Sequence, residues 1–254
     1  MTRMRVLITG GTGKVGRALA AGFAGAGWEV VVTSRSKERA AALVDELDRN
    51  SGHANHGIVF EFVANSPVSQ LVDILRERDL QPHCLINNVR NLENLKLQSG
   101  GRPTISSWLQ EFQLGVVVAY ELTMDLVAEE VGVLENVINV SSIYGIVAPN
   151  QHLYLEPETQ SPIHYGVCKA ALLHLTKELA VRLAPHQTRV NAISYGGVEG
   201  RVNSEFLARY AALCPQGRML KAEDIAGPAL FLADSGASGM TGHNLVVDGG
   251  WSVW

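Results

Sequence analysis

The chain has 254 residues, of which 46% are hydrophobic and 18% are charged, and its formal net charge is −4 at pH 7. This composition supports a full hydrophobic core and excludes a disordered chain. The acidic balance gives no basic surface for nucleic acid or for an anionic membrane. No apolar run is long enough to cross a bilayer, and the first residues lead directly into an apolar strand at Val6. We therefore expect no signal peptide, no membrane contact and a cytoplasmic location.

The cysteines and histidines give no sign of a metal site. Cys84, Cys168 and Cys214 lie far apart, and the eight histidines are scattered, with none at ligand spacing from a cysteine. The odd number of cysteines favours reduced thiols over a disulfide framework. We therefore predict that no metal ion is bound.

Short apolar, β-branched runs alternate with helical patterns along the chain. Strands are predicted at residues 5–9, 29–33, 58–63, 84–87, 136–141, 189–193 and 244–247, and helices at residues 15–26, 37–47, 68–78, 106–130, 165–184 and 224–233. Continuous apolar runs are typical of strands buried on both faces of a parallel sheet. The alternation predicts the α/β class: a Rossmann-type doubly wound sheet of about seven parallel strands flanked by helices, in a single domain over residues 1–254.

A glycine-rich turn at residues 9–16 joins the first predicted strand to the first predicted helix. Glycines let the backbone approach a pyrophosphate closely, and the helix N-terminus offers free N–H groups and a positive dipole end. An ordinary tight turn is the alternative, but the strand–turn–helix context is the one that the dinucleotide motif requires. The turn predicts a cofactor site formed by Gly10, Thr12, Gly13, Lys14, Val15 and Gly16.

The end of the second predicted strand indicates which dinucleotide is bound. In such sheets this strand ends beside the adenosine ribose, where an acidic residue favours the 2′-hydroxyl and a basic residue favours a 2′-phosphate. Here Arg35 stands between Ser34 and Ser36, with no carboxylate before Glu38. Arg35 can bind a phosphate through paired donors, and we expect Lys14 to add charge. A solvated Arg35 is the alternative, but we predict that NADP(H) is favoured over NAD(H).

Later motifs resemble those of the short-chain dehydrogenase/reductase family over essentially the whole chain. Asn-Asn-Val-Arg at residues 87–90 resembles the family's Asn-Asn-Ala-Gly, and Val-Ser-Ser at 140–142 stands where the catalytic serine belongs. Tyr-Gly-Val-Cys-Lys at 165–169 matches Tyr-x-x-x-Lys, and Val-Asp-Gly-Gly at 247–250 is also typical. The resemblance implies catalysis by Ser142, Tyr165 and Lys169. It also implies cofactor contacts from Asn88, Val198, Tyr165 and Lys169, and a homotetramer or homodimer built through the helices at 106–130 and 165–184.

Elementary chemistry explains why these residue types are used. A carbonyl that accepts a hydride builds negative charge on its oxygen and needs a proton, which Tyr165 would donate in reduction and remove in oxidation. Lys169 is four residues further on, so it stands on the same helix face, where its charge is expected to stabilise the phenolate and to hold the nicotinamide ribose. Ser142 would orient the substrate oxygen. The sequence thus predicts an NAD(P)(H)-dependent enzyme that interconverts a hydroxyl and a carbonyl on a small, sugar-like substrate.

Several positions depart from the family pattern. The glycine spacing resembles that of extended members that act on nucleotide sugars, and Gly115 stands where the family carries an asparagine that supports a proton relay. Tyr195 replaces a proline, and Val63 replaces an aspartate near the adenine. These departures keep two alternatives open: a non-catalytic dinucleotide-binding regulator, and a nucleotide-sugar epimerase or dehydratase.

The segment between Ser142 and Tyr165 is longer than is usual in the family. The extra residues, 149–164, exceed common loop lengths, which favours a role over the substrate pocket, although a plain surface loop is the alternative. This segment, together with Ser-Ser-Ile-Tyr-Gly at 141–145 and Asp-Gly-Gly-Trp-Ser-Val-Trp at 248–254, loosely resembles oxidoreductases of bacterial nonulosonic-acid and flagellin-modification sugar pathways. Its polar and aromatic side chains suit a hydroxyl-rich substrate: Gln151, His152, Tyr154, Glu156, Glu158 and Gln160.

Overall fold

A parallel sheet forms the centre of the computed structural model, which describes residues 3–63, 67–128, 133–200 and 202–254. Its strand order is β3-β2-β1-β4-β5-β6-β7, and every adjacent pair is parallel. The predicted doubly wound sheet is therefore confirmed. The strands are β1 (Arg5–Ile8), β2 (Glu29–Ser34), β3 (His56–Val59), β4 (Cys84–Asn87), β5 (Asn136–Ser142), β6 (Arg189–Tyr195) and β7 (Asn244–Val247).

Helices connect these strands and cover both faces of the sheet. Alternate residues of β1 explain why: Val6 and Ile8 pack in one core cluster, and Leu7 packs in another on the opposite face. Each fully buried aliphatic side chain contributes about 1.5–3 kcal/mol, so both faces must be covered. The helices are α1 (Lys14–Gly25), α2 (Lys37–Ser51), α3 (Ser69–Glu77), α4 (Ile105–Phe112), α5 (Val118–Ala128), α6 (Pro157–Gln160), α7 (Ile163–Arg182), α8 (Ser204–Leu213) and α9 (Glu223–Ala233).

The order of the strands fixes where a ligand can bind. The chain runs outward from β1 to β2 and β3, then returns to β4 on the other side of β1. The connections after β1 and β4 therefore leave the sheet in opposite directions, which opens a crevice at the carboxyl ends of these strands. The glycine-rich turn follows β1 and borders this crevice.

The third strand lies earlier in the chain than the sequence indicated. It covers His56–Val59, whereas residues 58–63 were expected. The Phe60 N–H group donates to the Ser34 carbonyl at 2.9 Å, and β2 ends at Ser34, so residues beyond Phe60 have no strand to pair with. The apolar Phe60, Phe62 and Val63 instead form part of the cleft wall.

The predicted long helix at residues 106–130 is divided. A five-residue π-helical turn, Gln113–Val117, separates α4 from α5, and Gly115 lies in its middle. The expected end at Glu129 and Glu130 lies outside the described residues. A π turn inside a helix is rare and is frequently found at functional sites, so this segment differs from the regular helix that was predicted.

Two other differences concern helix ends and a helix that the sequence analysis missed. α2 continues to Ser51, because Gly52 adopts the left-handed conformation (φ 71°) that terminates helices. α8 was not predicted, although Asn203 caps it by accepting a hydrogen bond from the Phe206 N–H at 2.9 Å. The short α6 was not predicted either, and the remaining helices and strands match the predicted ones within two residues at each end.

The π turn gives a prediction about stability. A Cβ atom at Gly115 would meet no atom within 4 Å. Gly115→Asn should therefore raise the free energy of unfolding by up to about 0.5 kcal/mol, because glycine loses the most backbone entropy in a helix. Urea unfolding followed by circular dichroism measures this. Gly227→Asn in α9, where a Cβ also meets nothing, is the matched control. A loss of stability in the Gly115 variant alone would show that the turn requires glycine.

Candidate active site

The floor of the cleft is built where β5 ends. Ser142 is the last residue of β5, pairs in register with Tyr195 of β6, and is only 7% exposed. Its Oγ accepts a hydrogen bond from the Tyr144 N–H at 3.2 Å. Because side chains alternate along a strand, Ser141 points the other way, and its Oγ donates to the Lys169 carbonyl at 3.2 Å. This bond joins β5, which carries Ser142, to α7, which carries Lys169.

Lys169 is a buried cation one helical turn after Tyr165. Its Nζ donates to the Val140 carbonyl at 2.8 Å and lies 5.8 Å from the centre of the Tyr165 ring. Burial lowers the pKa of Lys169, whereas the nearby Tyr165 and Glu111 raise it. The ammonium group is therefore held at a fixed point between strand β5 and the phenol.

Tyr165 stands at the mouth of the same cleft as Ser142 and Lys169. The structure thus brings together the three residues for which the sequence predicted catalysis. Arg90, just after β4, adds a second cation: its guanidinium carbon lies 4.9 Å above the centre of the Tyr165 ring, and its Nη1 lies 3.4 Å from the hydroxyl. The phenol therefore lies near two cations, Arg90 and Lys169.

The glycine-rich turn has the shape that a pyrophosphate requires. Gly10 has a φ of 64°, and its N–H donates to Thr33 Oγ1 at 3.0 Å. A Cβ at Gly16 would lie 2.5 Å from the Gly10 carbonyl oxygen, so only glycine fits. The N-cap residue of α1, Gly13, provides no capping side chain, and the first turn holds no acidic residue. The N–H groups at the start of α1 thus suit an anionic group of a dinucleotide.

Other residues predicted to bind the cofactor lie along the same cleft, but two of them have structural partners. Asn88 Nδ2 donates to the Thr9 carbonyl at 2.9 Å and so joins the ends of β1 and β4. Lys14 Nζ donates to the Val198 carbonyl at 3.1 Å, on the β6 side of the cleft. Arg35 follows β2, on the opposite side of β1 from β6. That Lys14 adds charge beside Arg35 stays a prediction.

The end of β2 carries a second arginine that sequence reasoning missed. Arg39 is one turn into α2 and lines the cleft beside Arg35, and its Nη2 donates to the Thr12 carbonyl at 2.9 Å. Arg35 itself lies 3.6 Å from Glu61 in an exposed ion pair, which contributes little and can be exchanged for a ligand. Ser36 caps α2 by accepting from the Arg39 N–H at 3.1 Å.

The inserted segment lies over the cleft. It contains the short α6 and a 3₁₀ turn, Gln151–Leu153, in which Leu153 is buried against the core below. The Tyr154 hydroxyl lies 2.5 Å from the hydroxyl of Tyr144, and Tyr144 is two residues after Ser142 in the chain. Five of the six polar side chains singled out from the sequence line the cleft, and His152 does not.

A buried polar group behind Lys169 also escaped sequence analysis. Glu111 of α4 is 3% exposed, and His164 of α7 is fully buried; each has one side-chain atom without a hydrogen-bond partner, Oε2 and Nδ1 respectively. His164 Nε2 lies 2.7 Å from the Asn94 carbonyl. Only a glutamate in an otherwise apolar helix face marked this cluster in the sequence.

Two absences hold for the residues that the structure describes. They contain no group of side chains arranged to hold a metal ion. None of their helices is both long and apolar enough to span a membrane.

Comparison with known proteins places the chain in a family. A family model described as Enoyl-(Acyl carrier protein) reductase matches residues 12–252. A 3-oxoacyl-[acyl-carrier-protein] reductase of Aquifex aeolicus is 27% identical over 252 residues, which cover 96% of this chain and 95% of the relative. The post-translational flagellin modification protein A of Campylobacter coli is 40% identical over 118 residues, 46% of each chain.

Solved structures agree with this assignment. Pseudomonas aeruginosa RhlG, in a complex with NADP, superposes with a TM-score of 0.84 at 25% identity, over 98% of this chain and 96% of that one. A short-chain dehydrogenase of Leptospira borgpetersenii, solved with bound NAD+, is similarly close, with a TM-score of 0.83 at 25% identity over 99% and 94%. The chain therefore belongs to the short-chain dehydrogenase/reductase family and is an oxidoreductase of the kind that acts on hydroxyl and carbonyl groups.

Proposed function

We propose that the protein transfers a hydride between NADP(H) and a small polyhydroxylated substrate, using Ser142, Tyr165 and Lys169. The observation that carries the proposal is the fixed Lys169 ammonium, 5.8 Å from the Tyr165 ring and bonded to the strand that ends in Ser142. Burying a cation costs free energy, and a buried lysine with a perturbed pKa in a cleft is therefore a candidate functional group. Its place beside a phenol in an open cleft is the arrangement that acid–base catalysis requires.

The three side chains divide the work around one oxygen atom. The dinucleotide, when bound, donates or accepts the hydride at the substrate carbon. Tyr165 gives its hydroxyl proton to the substrate oxygen in reduction and removes it in oxidation. Lys169 stabilises the negative charge that Tyr165 carries after the proton has left. Ser142 donates a hydrogen bond to the same substrate oxygen and fixes its direction.

The preference for NADP(H) is supported by the basic side chains at the end of β2. Arg35 and Arg39 both line the cleft there, and the hydroxyls of Ser34 and Ser36 lie beside them. A 2′-phosphate accepts charge-assisted hydrogen bonds from guanidinium groups. The nearby Glu61 opposes a phosphate, but it is more than half exposed and already pairs with Arg35.

A hydroxyl-rich substrate is supported by the inserted segment. Gln151, Glu156 and Glu158 line the substrate half of the cleft and can accept hydrogen bonds from several hydroxyl groups. The similarity to a flagellin modification protein fits such a substrate, although that match covers under half of each chain. The acyl-carrier-protein reductases among the relatives make a fatty-acyl substrate the natural comparison in any test.

We also propose that copies of the chain associate as a homotetramer or homodimer. Large apolar side chains are exposed on the two helices for which the sequence predicted contacts: Ile105, Leu109 and Phe112 on α4, and Ile163, Val167 and Val181 on α7. Large apolar side chains exposed on two helices are typical of protein interfaces.

The proton donor gives the direct test of function. Tyr165→Phe should lower kcat by about 10²–10⁴-fold, because only the hydroxyl that moves the proton is lost. The Kd for NADPH should stay unchanged. Steady-state oxidation of NADPH with a panel of sugar-derived ketones and 3-oxoacyl thioesters measures the first quantity, and fluorescence titration measures the second. Tyr120→Phe, an exposed tyrosine of α5, is the matched control. A loss of less than about tenfold in Tyr165→Phe contradicts the assignment.

Cofactor choice is tested at the end of β2. Arg35→Gln and Arg39→Gln should each raise the Kd for NADPH by about tenfold or more, through loss of a charge-assisted hydrogen bond, and leave the Kd for NADH unchanged. Arg49→Gln, on the far end of α2, controls for the loss of one positive charge. Titrations at one fixed ionic strength are needed because salt screens such contacts. Tighter binding of NADH than of NADPH by the wild type refutes the preference.

The buried carboxyl of Glu111 predicts a pH effect on stability. Burial raises its pKa, against the lowering effects of Lys169, Arg90 and His164, so folding favours the neutral form. The stabilisation is present below the ordinary carboxyl pKa and is lost as pH rises through the raised value. Glu111→Gln should therefore become more stable relative to the wild type as pH rises above the ordinary carboxyl range, about pH 4.

Chemical unfolding of both proteins across this pH range measures the difference. Glu121→Gln, an exposed glutamate on α5, is the control and should show no such trend. A stability difference between Glu111→Gln and the wild type that is constant with pH would mean that Glu111 does not change its ionisation on folding.

A further inference from the structure

Arg90 is held in place by the backbone that precedes it. The N–H groups of Asn88 and Val89 both donate to Thr9 Oγ1, at 2.9 and 3.1 Å. Val89 also packs closely on the phosphate turn, since a Cβ at Gly10 would lie 3.1 Å from its Cα atom. Arg90 therefore projects from a fixed point between the phosphate turn and the catalytic residues.

The guanidinium group of Arg90 lies beside the hydroxyl of Tyr165, the proposed proton donor. It covers the face of the Tyr165 ring at 4.9 Å, and its Nη1 is 3.4 Å from the hydroxyl that would exchange a proton with the substrate. A guanidinium group has five N–H donors, and among the described residues Arg90 uses one of them on Tyr165, so the others are available to another acceptor. Any substrate whose oxygen meets Tyr165 therefore has its neighbouring atoms within reach of Arg90.

The positive charge of Arg90 has no carboxylate in contact with it. In the part of the chain that the structure describes, Arg90 contacts Tyr165 and forms no ion pair. The buried Glu111 acts on it only at longer range, and burial raises the pKa of that carboxyl. Lys169 is a second cation near the same phenol. Two positive charges thus act on the space beside Tyr165.

We infer that the substrate carries an anionic group, a carboxylate or a phosphate monoester, and that Arg90 binds this group through paired N–H donors. The inference rests on the proposed function, because it takes the reacting oxygen to lie at Tyr165. Guanidinium forks match both kinds of oxyanion through paired, charge-assisted hydrogen bonds. The hydroxyl groups of such a substrate extend toward Gln151, Glu156 and Glu158 of the inserted segment.

The cofactor phosphates have other partners in the cleft. The start of α1 faces the crevice beyond β1, and Arg35 and Arg39 lie beyond β2, whereas Arg90 follows β4 and touches the proton donor. This separation assigns Arg90 to the substrate. It also defines a control, because a role in cofactor binding would change the Kd for NADP+.

Calorimetric titration of the NADP+-loaded protein with three matched polyols tests the inference: glucitol, gluconate and glucitol 6-phosphate. The wild type should bind at least one of the two anions about tenfold or more tightly than glucitol, as expected for a charge-assisted pair. Arg90→Gln should reduce this preference below about threefold and leave the Kd for glucitol and for NADP+ unchanged. The anion that loses more affinity identifies the carboxylate or the phosphate as the natural group. Arg78→Gln, an exposed arginine after α3, should keep the wild-type preference.

Three results would overturn the inference. One is a wild type with no preference for either anion, including one that binds none of the three polyols. The second is an Arg90→Gln variant that retains the preference. The third is a variant in which NADP+ binding weakens as much as anion binding. Because this readout does not depend on turnover, a failure of anion binding is distinct from a failure of the Tyr165→Phe test of hydride transfer.

Discussion

The hydrogen bond from Lys169 to the Val140 carbonyl is the interaction on which the site depends. At 2.8 Å it holds a buried ammonium group against strand β5 and so fixes the face of α7 that meets the sheet. A cation that has left water is stable only when partners replace its hydration. Here a strand carbonyl provides one partner, and the phenol of Tyr165 and the carboxyl of Glu111 lie near it. The position of Tyr165 above Ser142 follows from this anchor.

The polar groups around Lys169 differ between the side that faces the cleft and the side that faces the protein interior. Towards the cleft, Tyr165 faces Arg90 and the open substrate space. Towards the interior, Glu111 and His164 form a small buried polar group beside the π turn around Gly115. Glu111 lies one helical turn before Gly115, the position where the family resemblance places an asparagine, so a carboxyl and an imidazole stand near the lysine in this chain.

The sequence predicted the fold well because periodicity and turn residues act locally. Continuous apolar runs identified the parallel strands, and Gly10 and Gly16 marked the phosphate turn. β3 was placed too late because the apolar residues after Val59 pack in the cleft wall, and only the end of β2 at Ser34 shows where pairing stops. Apolar character alone cannot distinguish these two uses.

The site was predicted in part, for a related reason. Ser142, Tyr165 and Lys169 stand in motifs with fixed spacing, so the sequence located them. Arg39, Glu111 and His164 act through contacts with segments that are distant in the chain, and the spacing of residues in the sequence does not reveal such contacts. Lys14 illustrates the same limit, since it contacts the Val198 carbonyl, which follows β6 and is distant in the chain.

The most direct measurement is a crystal structure of the protein with NADP+. We expect the nicotinamide ribose to lie beside Lys169 and Tyr165, with the nicotinamide ring facing Ser142, and the 2′-phosphate to contact Arg35 and Arg39. We also expect Arg90 to stay on the substrate side of the ring. A dinucleotide whose nicotinamide end lies away from Lys169, or whose phosphates bind Arg90, would contradict these assignments.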